Sequence, residues 1–205
     1  MEVKIFRKSP IFACTSYLIS HNDHCLLIDC GYFSDELKQE INKHAFFDGV
    51  VLTHKHYDHI AGLIDLIKCY PNIKIYSHMN KDLFLSSGII NCSHFMLEED
   101  VTLDYPVINL IEGINKIGEF TFNIIYTPGH TSDCITLEIE NYLFTGDTLF
   151  SETKGRTDLP TSSDKDMKKS LLVLKEMLLK KEYQIFPGHG VTSTSKEVLI
   201  NNLYI

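Results

Sequence analysis

The sequence predicts an α/β protein in which short strands outnumber helices. The chain has 205 residues, 44% of them hydrophobic, which is enough for a sizeable core. Short apolar segments that end in turn residues recur along the chain, and four longer segments repeat apolar residues at helical spacing. From this length and pattern we expect a single domain that spans residues 1–205.

The predicted strands are short runs rich in β-branched, aromatic and other apolar residues. The run at residues 49–52 is too short for a helix, and we interpret it as a buried strand that ends where a histidine-rich segment begins. The nine predicted strands are residues 3–7, 15–20, 25–29, 49–52, 74–77, 120–126, 135–139, 142–145 and 184–186.

Two helices are predicted in the first half of the chain. Ser34 can cap a helix over residues 34–43, in which Leu37 and Ile41 lie four positions apart on one face. A second helix is expected to begin at Asp58 and to end at about residue 68. The predicted apolar side of this second helix consists of Ile60, Leu63, Ile64 and Ile67.

Two more helices are predicted in the second half. Residues 164–181 carry the clearest helical pattern, with Asp164 as the expected N-cap and a lysine-rich end that suits the helix dipole. A terminal helix is expected over residues 196–203. The core face of the longer helix is predicted to consist of Met167, Leu171, Leu174 and Leu178.

Composition disfavours several classes of partner. The net charge of −8 argues against nucleic-acid binding, which needs clustered lysine and arginine. No apolar run approaches the roughly 18 residues that span a bilayer, and the N-terminus lacks a secretory pattern. We therefore expect a cytoplasmic protein with a small-molecule substrate and no nucleic-acid or membrane partner, and the oligomeric state stays open. The cysteines include no CxxC pair and are expected to be reduced: Cys14, Cys25, Cys30, Cys69, Cys92 and Cys134.

Four segments place metal-ligand side chains at strand ends or turns. The first, THKHYDH at residues 53–59, contains three histidines and an aspartate, and YTPGHTSD, FTGDTLF and FPGHG supply one ligand each. A catalytic metal site needs ligands on a rigid frame with one coordination position left open, and strand ends pinned by turn residues provide such a frame. The candidate ligands are His54, His56, Asp58, His59, His130, Asp147 and His189.

The spacing within THKHYDH suggests two neighbouring metal ions. In an extended backbone the side chains at positions 54, 56 and 58 project to the same side, and the side chain at 59 diverges where the helix begins. One segment can therefore serve two ions. The predicted sets are His54, His56 and His130 for the first ion, Asp58, His59 and His189 for the second, and Asp147 as a bridge.

The ligand types narrow the choice of metal. Imidazole and carboxylate ligands without thiolates suit zinc, iron or manganese and argue against a structural cysteine-rich zinc site. We expect two divalent ions, with zinc as the first choice and iron or manganese as alternatives. Two ions about 3.5 to 4 Å apart can lower the pKa of a shared water and polarise a carbonyl or phosphoryl oxygen.

The THKHYDH segment, followed by His130, Asp147 and His189, resembles the HxHxDH signature of the metallo-β-lactamase-fold superfamily over nearly the whole chain. Asp29 and Gly31, in LLIDCGYF, match the acidic residue and glycine that follow an early strand in that family. The resemblance implies an αββα sandwich, in which two mixed β-sheets pack face to face with helices outside and a dinuclear site lies at one edge.

Within this superfamily the chain is most similar to short glyoxalase II-like hydrolases. TPGHTSDC looks like their PGHT element, and GDTLF followed by GRTDLP looks like their GDTLF…GR stretch. The resemblance implies hydrolysis of a thioester, a hydroxyacyl-thiol such as S-lactoylglutathione, by a hydroxide that bridges the two metals. Asp58 is the expected catalytic residue, because the ion that it shares with His59 takes up the oxyanion charge.

Three further residues are candidates for supporting roles. Arg156 and Asp158 of GRTDLP are expected to contact substrate, to brace the metal-binding loop or to form a loop ion pair, and these alternatives stay open. Tyr57, beside the ligands, is expected to pack around the metal site rather than to act as an acid.

Other functions also stay open. The persulfide dioxygenases of the same superfamily share a HxHxDH stretch and a GRTD element, and similarity to them implies a single iron held by His56, His130 and Asp147. A non-enzymatic module that kept the fold is disfavoured by the complete ligand set. Phosphodiester cleavage is disfavoured by the acidic net charge.

Overall fold

The structure, a computed structural model, describes residues 1–7, 14–78 and 83–205. The chain divides into two compact units. The first unit is Met1–Leu110 with Lys116–Thr121, and the second is Ile111–Asn115 with Phe122–Ile205.

The first sheet has six strands in the order β1-β2-β3-β4-β5-β6. Strands β1 to β3 are antiparallel neighbours, whereas β3 to β6 run parallel, so the sheet is mixed. Its strands are β1 Glu2–Phe6, β2 Ser16–His21, β3 His24–Ile28, β4 Phe46–Leu52, β5 Ile75–His78 and β6 Val107–Leu110. The helices in this part of the chain are α1 Asp35–Ile41, α2 Tyr57–Ile60, α3 Leu63–Cys69, α4 Leu83–Ser86 and α5 Ser93–Leu97.

The second sheet also has six strands, in the order β12-β11-β10-β9-β8-β7. Its strands are β7 Gly113–Ile117, β8 Phe120–Tyr126, β9 Ile135–Ile139, β10 Tyr142–Gly146, β11 Gln184–Pro187 and β12 Ser193–Thr194, and its helices are α6 Asp164–Lys180 and α7 Ser195–Asn201. Strands β10 and β11 run parallel, whereas β8–β9, β9–β10 and β11–β12 are antiparallel. Two mixed sheets with helices confirm the predicted α/β class.

The core of the first unit forms where α1 and α3 cover the strands of the first sheet. Leu37 and Ile41 of α1 are buried there, as predicted, together with Leu63 and Leu66 of α3. The Ser34 hydroxyl accepts a hydrogen bond from Leu37 N (3.1 Å), which confirms the predicted cap. Helices α1 and α3 therefore pack on the first sheet through buried residues that repeat at helical spacing.

The predicted helix over residues 58–68 is wrong in its continuity, because the segment forms two short helices, α2 and α3. An unbroken helix would pair Gly62 N with Asp58 O. Instead, Gly62 N donates to Cys30 O (2.8 Å) and Asp58 O accepts from Cys14 N (3.1 Å). The break also turns Ile64, which was predicted to be on the apolar side, towards solvent, with 37% of the residue exposed.

Helix α6 is the central element of the second core. Its predicted core face is buried, but Ser163 rather than Asp164 is the N-cap, since Ser163 has an extended backbone and its side chain accepts from Asp166 N. Asp164 and Asp166 instead occupy the first turn, where negative charge favours the helix dipole. The buried face consists of Met167, Leu171, Leu174 and Leu178.

Several short elements were not predicted, namely β6, β7, β12, α4 and α5. Helix α5 has five residues between left-handed caps at Cys92 and Glu98, too few for a helical repeat to show in the sequence. Strand β7 buries Ile117 but leaves Ile114 70% exposed, so its apolar residues do not mark one buried face. Among the described helices, none combines the length and apolar character needed to cross a membrane.

Two leucines on the same helix test this packing. Leu174 of α6 is fully buried, whereas Leu172 is 62% exposed. We expect Leu174→Ala to lower the free energy of unfolding by about 2 to 5 kcal/mol through loss of buried contacts and a residual cavity. The matched control Leu172→Ala should change it by less than about 0.5 kcal/mol. Urea unfolding of both variants measures the difference, and equal losses would contradict the assigned core face.

Candidate metal centre

Four predicted ligands lie together in the first unit, directly after β4. His54 and His56 lie on the stretch between β4 and α2, whereas Asp58 and His59 belong to α2. The ring centroid of His54 is 4.0 Å from that of His59 and 4.9 Å from that of His56, and His59 Nε2 is 3.9 Å from Asp58 Oδ2. All four residues are buried. The predicted alternation of side chains thus ends at His56, and the start of a helix brings in the other two ligands.

Residues 53–59 are called the ligand segment below. Asp29, at the end of the neighbouring strand β3, holds this segment through hydrogen bonds. It follows β3 directly, with a left-handed backbone (φ 56°) that aspartate tolerates better than most residues. Its Oδ1 accepts from Thr53 N (2.8 Å), and its Oδ2 accepts from Thr53 Oγ1 (2.7 Å) and from His59 Nδ1 (2.9 Å). Because His59 Nδ1 is bonded to Asp29, Nε2 is the ring nitrogen left for a metal.

The structure gives a steric reason for the glycine at position 31, which matches the family together with Asp29. A Cβ atom at this position would collide with Asp58 O and would approach Cys14 N to 2.8 Å. Close by, Cys30 N donates to His59 O (2.9 Å), so the turn after β3 packs directly on the backbone of α2. A side chain at residue 31 would push α2, and with it two candidate ligands, away from this turn.

Cys14 also lies near these residues, because its thiol, an Asp29 carboxylate oxygen and a His59 ring nitrogen are within 4.8 Å of one another. Burial raises the pKa of Cys14 to about 12. Asp29 and His59 are bonded to each other at this side. We therefore interpret the three residues as packing behind the ligand segment and not as a ligand set.

The other three predicted ligands lie together in the second unit. His130 follows β8 after a Pro-Gly turn, Asp147 follows β10 directly, and His189 follows β11. Asp147 Oδ2 is 3.5 Å from His130 Nε2 and also 3.5 Å from His189 Nε2. The Asp147 side chain is 9% exposed and that of His189 is 39% exposed, so this group lies at a boundary with solvent.

These separations fit ligands of a metal ion. A nitrogen–oxygen distance of 3.5 Å is longer than the usual 2.7 to 3.2 Å hydrogen bond. Two donors that are each about 2.1 Å from a tetrahedral ion lie about 3.4 Å apart. The donors are imidazoles and carboxylates, the ligand types that zinc, iron and manganese accept. The residues of the second unit therefore suit a metal in spacing, and those of both units suit one in chemistry.

A main-chain carbonyl fixes the orientation of His130. His130 Nδ1 donates to Arg156 O (2.9 Å), which identifies Nδ1 as the protonated nitrogen and leaves Nε2 to face Asp147. The Arg156 side chain instead forms a two-point ion pair with Asp158, at 2.7 Å for each bond, and both side chains are exposed. The structure thus shows the loop ion pair, and the Arg156 backbone rather than its side chain braces the ligand.

The Pro-Gly turn before His130 is packed against α6. Gly129 O accepts from Ser163 N (2.8 Å), and Pro128 O accepts from the Ser170 hydroxyl (2.6 Å). Gly129 has a φ of 148°, and a Cβ there would collide with Met167. The long helix therefore positions the turn that carries His130.

Tyr57 begins α2 between the candidate ligands His56 and Asp58, and burial raises the pKa of its half-buried side chain. Its packing around the metal site stays a prediction. Its backbone N donates to Asn91 O (2.7 Å), which ties the start of α2 to the segment before α5. Sequence reasoning missed Asn91 and the Arg156 carbonyl because nothing in their local sequence marks them. It also missed the bonds from Thr53 to Asp29, although a hydroxyl residue directly before the ligands could have suggested such a role.

Comparisons with known proteins agree with this geometry. The sequence profile of the metallo-beta-lactamase superfamily matches residues 10–189. A Bacillus subtilis (strain 168) protein named "Probable metallo-hydrolase YqgX" is 32% identical over 190 residues, covering 88% of this chain and 86% of its own. A Francisella tularensis subsp. novicida (strain U112) protein named "Hydroxyacylglutathione hydrolase" is 31% identical over 192 residues, covering 92% of this chain and 68% of its own.

Solved structures show the same fold. The crystal structure of BLEG-1 B3 metallo-beta-lactamase has a TM-score of 0.88 and 25% identity and covers 99% of both chains. The crystal structure of TTHA1623 in a di-iron-bound form has a TM-score of 0.83 and 26% identity, and covers 99% of this chain and 100% of its own. With its two mixed sheets and its ligand-type residues at strand ends, this chain belongs to the metallo-beta-lactamase superfamily.

Proposed function

We propose that this protein is a dinuclear metal-dependent hydrolase that cleaves a thioester of a hydroxyacyl-thiol, such as S-lactoylglutathione. The observation that carries the proposal is the position of Asp147, whose Oδ2 lies 3.5 Å from the Nε2 atoms of both His130 and His189. One carboxylate oxygen that faces two imidazoles at the same distance suits a ligand shared by two ions. Membership of the superfamily supports the same assignment.

The proposal assigns each candidate ligand to an ion. Support for a two-ion centre comes from the cluster of four buried ligand side chains in the first unit and from the di-iron-bound form of TTHA1623. Imidazole and carboxylate ligands accept zinc, iron and manganese. Among these three metals we propose zinc first and keep iron and manganese as alternatives. The sets are His54, His56 and His130 for one ion, Asp58, His59 and His189 for the other, and Asp147 for both.

Residues of the chain prepare these ligands before any metal binds. Asp29 and Arg156 O hold the Nδ1 atoms of His59 and His130, so each ring presents Nε2 without having to select a tautomer. We assign Asp58 as the catalytic residue, since its buried carboxylate lies beside His59. When bound, two such ions supply a water of lowered pKa and polarise the carbonyl of the substrate.

A thioester substrate suits a site without an obvious general acid. A thiol leaving group has an ordinary pKa of about 8.5, so it departs as a thiolate near neutral pH with little need for protonation. Tyr57, the nearest candidate acid in sequence, has a pKa raised by burial and therefore donates a proton less readily. The relative named Hydroxyacylglutathione hydrolase supports this class of substrate.

A second candidate function is persulfide oxidation at a single iron held by His56, His130 and Asp147. The observation that favours it is the GRTD element at residues 155–158, whose Arg156 carbonyl bonds directly to His130. The two functions differ in metal stoichiometry and in the use of oxygen. A hydrolase consumes no oxygen, whereas a dioxygenase does.

Metal content tests the centre itself. Protein purified without chelators or added metal should contain about two metal ions per chain by elemental analysis. We expect Asp147→Asn to lose at least one of them and to lower hydrolytic turnover by about 100-fold or more, because the amide carries no negative charge and has only one oxygen. Asp65→Asn is a suitable control, since Asp65 is an exposed residue paired with Lys68 on α3. Two ions and full turnover in Asp147→Asn would contradict the bridging role.

A substrate panel tests the reaction. The metal-loaded protein should hydrolyse S-lactoylglutathione and release free thiol, which a thiol-reactive dye measures. A β-lactam and a phosphodiester serve as the comparison substrates and should turn over far more slowly. Oxygen uptake with glutathione persulfide, together with a single equivalent of iron, would replace the hydrolase with the dioxygenase.

A further inference from the structure

The sequence position of Lys55 contrasts with its burial. It lies between the candidate ligands His54 and His56, yet only 2% of the residue is exposed. A buried ammonium is unfavourable unless it is hydrogen-bonded. Its ammonium donates to Ser77 Oγ (3.2 Å) and His78 O (3.1 Å), both at the end of β5.

The ligand segment needs such a contact because the sheet does not hold it. Strand β4 ends at Leu52, which pairs with Ser77 of β5, and the backbone at residues 53–56 lies beyond the strand. Strands β3 and β5 are the two neighbours of β4 in the sheet. From the β3 side, Asp29 bonds to Thr53. From the β5 side, Lys55 supplies the matching connection.

The acceptors of Lys55 are themselves fixed. His78 Nδ1 donates to Leu110 O (3.0 Å) at the end of β6, so the carbonyl that receives the ammonium belongs to a residue bonded to the next strand. Ser77 is buried and lies within the β5–β6 pairing. Lys55 therefore joins the ligand segment to a paired strand of the sheet and not to a loop.

We propose that Lys55 is a positioning residue of the metal centre, which clamps the ligand segment to the end of β5 and so sets the orientation of His54 and His56. The inference rests on the proposed metal centre but not on the identity of the substrate. Its effect on the metal would act through the two histidines, because Lys55 lies between them in the chain and its ammonium is bonded to β5.

Zinc affinity of the purified protein tests this role without any substrate. Lys55→Met keeps an unbranched side chain of similar length and removes the ammonium. We expect the variant to bind zinc about 10- to 100-fold more weakly than wild type in competition with a chromogenic chelator. We also expect a changed visible absorption spectrum of the cobalt-substituted protein, because the ligand geometry at His54 and His56 is altered. Lys68→Met, an exposed lysine on α3, is the control and should change neither.

The outcomes separate this inference from the proposed function. Wild-type protein that binds none of zinc, iron or manganese would overturn the metal centre itself. Wild-type binding with unchanged zinc affinity and an unchanged cobalt spectrum in Lys55→Met would overturn only the role of Lys55. If Lys55→Met does not fold, Ser77→Ala decides, because it removes one acceptor and leaves the lysine in place. A several-fold weaker zinc affinity in Ser77→Ala supports the clamp, and an unchanged affinity overturns it.

Discussion

The buried carboxylate of Asp29 is the interaction on which the ligand segment depends. Its two oxygens accept three hydrogen bonds, two from Thr53 and one from the His59 ring. A buried carboxylate must be hydrogen-bonded, so its partners are fixed as firmly as the carboxylate. Thr53 begins the ligand segment and His59 ends it. One residue at the end of β3 therefore sets both ends of the stretch that carries four candidate ligands.

In the second unit, a main-chain carbonyl instead of a carboxylate fixes the orientation of a ligand histidine. A main-chain carbonyl, that of Arg156, holds His130 Nδ1 and directs Nε2 towards Asp147. In each unit a hydrogen bond to a residue distant in the sequence decides which ring nitrogen of one histidine is available. Ligands whose tautomer and orientation are already set need little reorganisation to bind an ion. The proposed hydrolysis depends on these hydrogen bonds, because a metal ion activates water only when its ligands are held in fixed positions.

Local patterns predicted strands better than helix boundaries. Strands β8 and β9 have the predicted bounds, because their apolar residues and turn residues are local signals. The helix predicted to begin at Asp58 is broken because Gly62 bonds to Cys30 and Asp58 bonds to Cys14, residues distant in the sequence. The predicted N-cap of α6 is wrong by one residue. Ser163 and Asp164 are both good capping residues, and only the backbone conformation decides between them.

The sequence by itself determined which residue types are candidate ligands, their order and their placement after short strands, because side-chain chemistry and turn residues are properties of adjacent positions. It also indicated the superfamily, through the spacing within THKHYDH and the later histidines and aspartate. Only the tertiary structure decided that His59 presents Nε2, that the Arg156 backbone rather than its guanidinium braces His130, and that Lys55 is buried against β5. Each of these depends on a partner more than twenty positions away, and such partners meet only when the strands are paired and the turns beside them are packed.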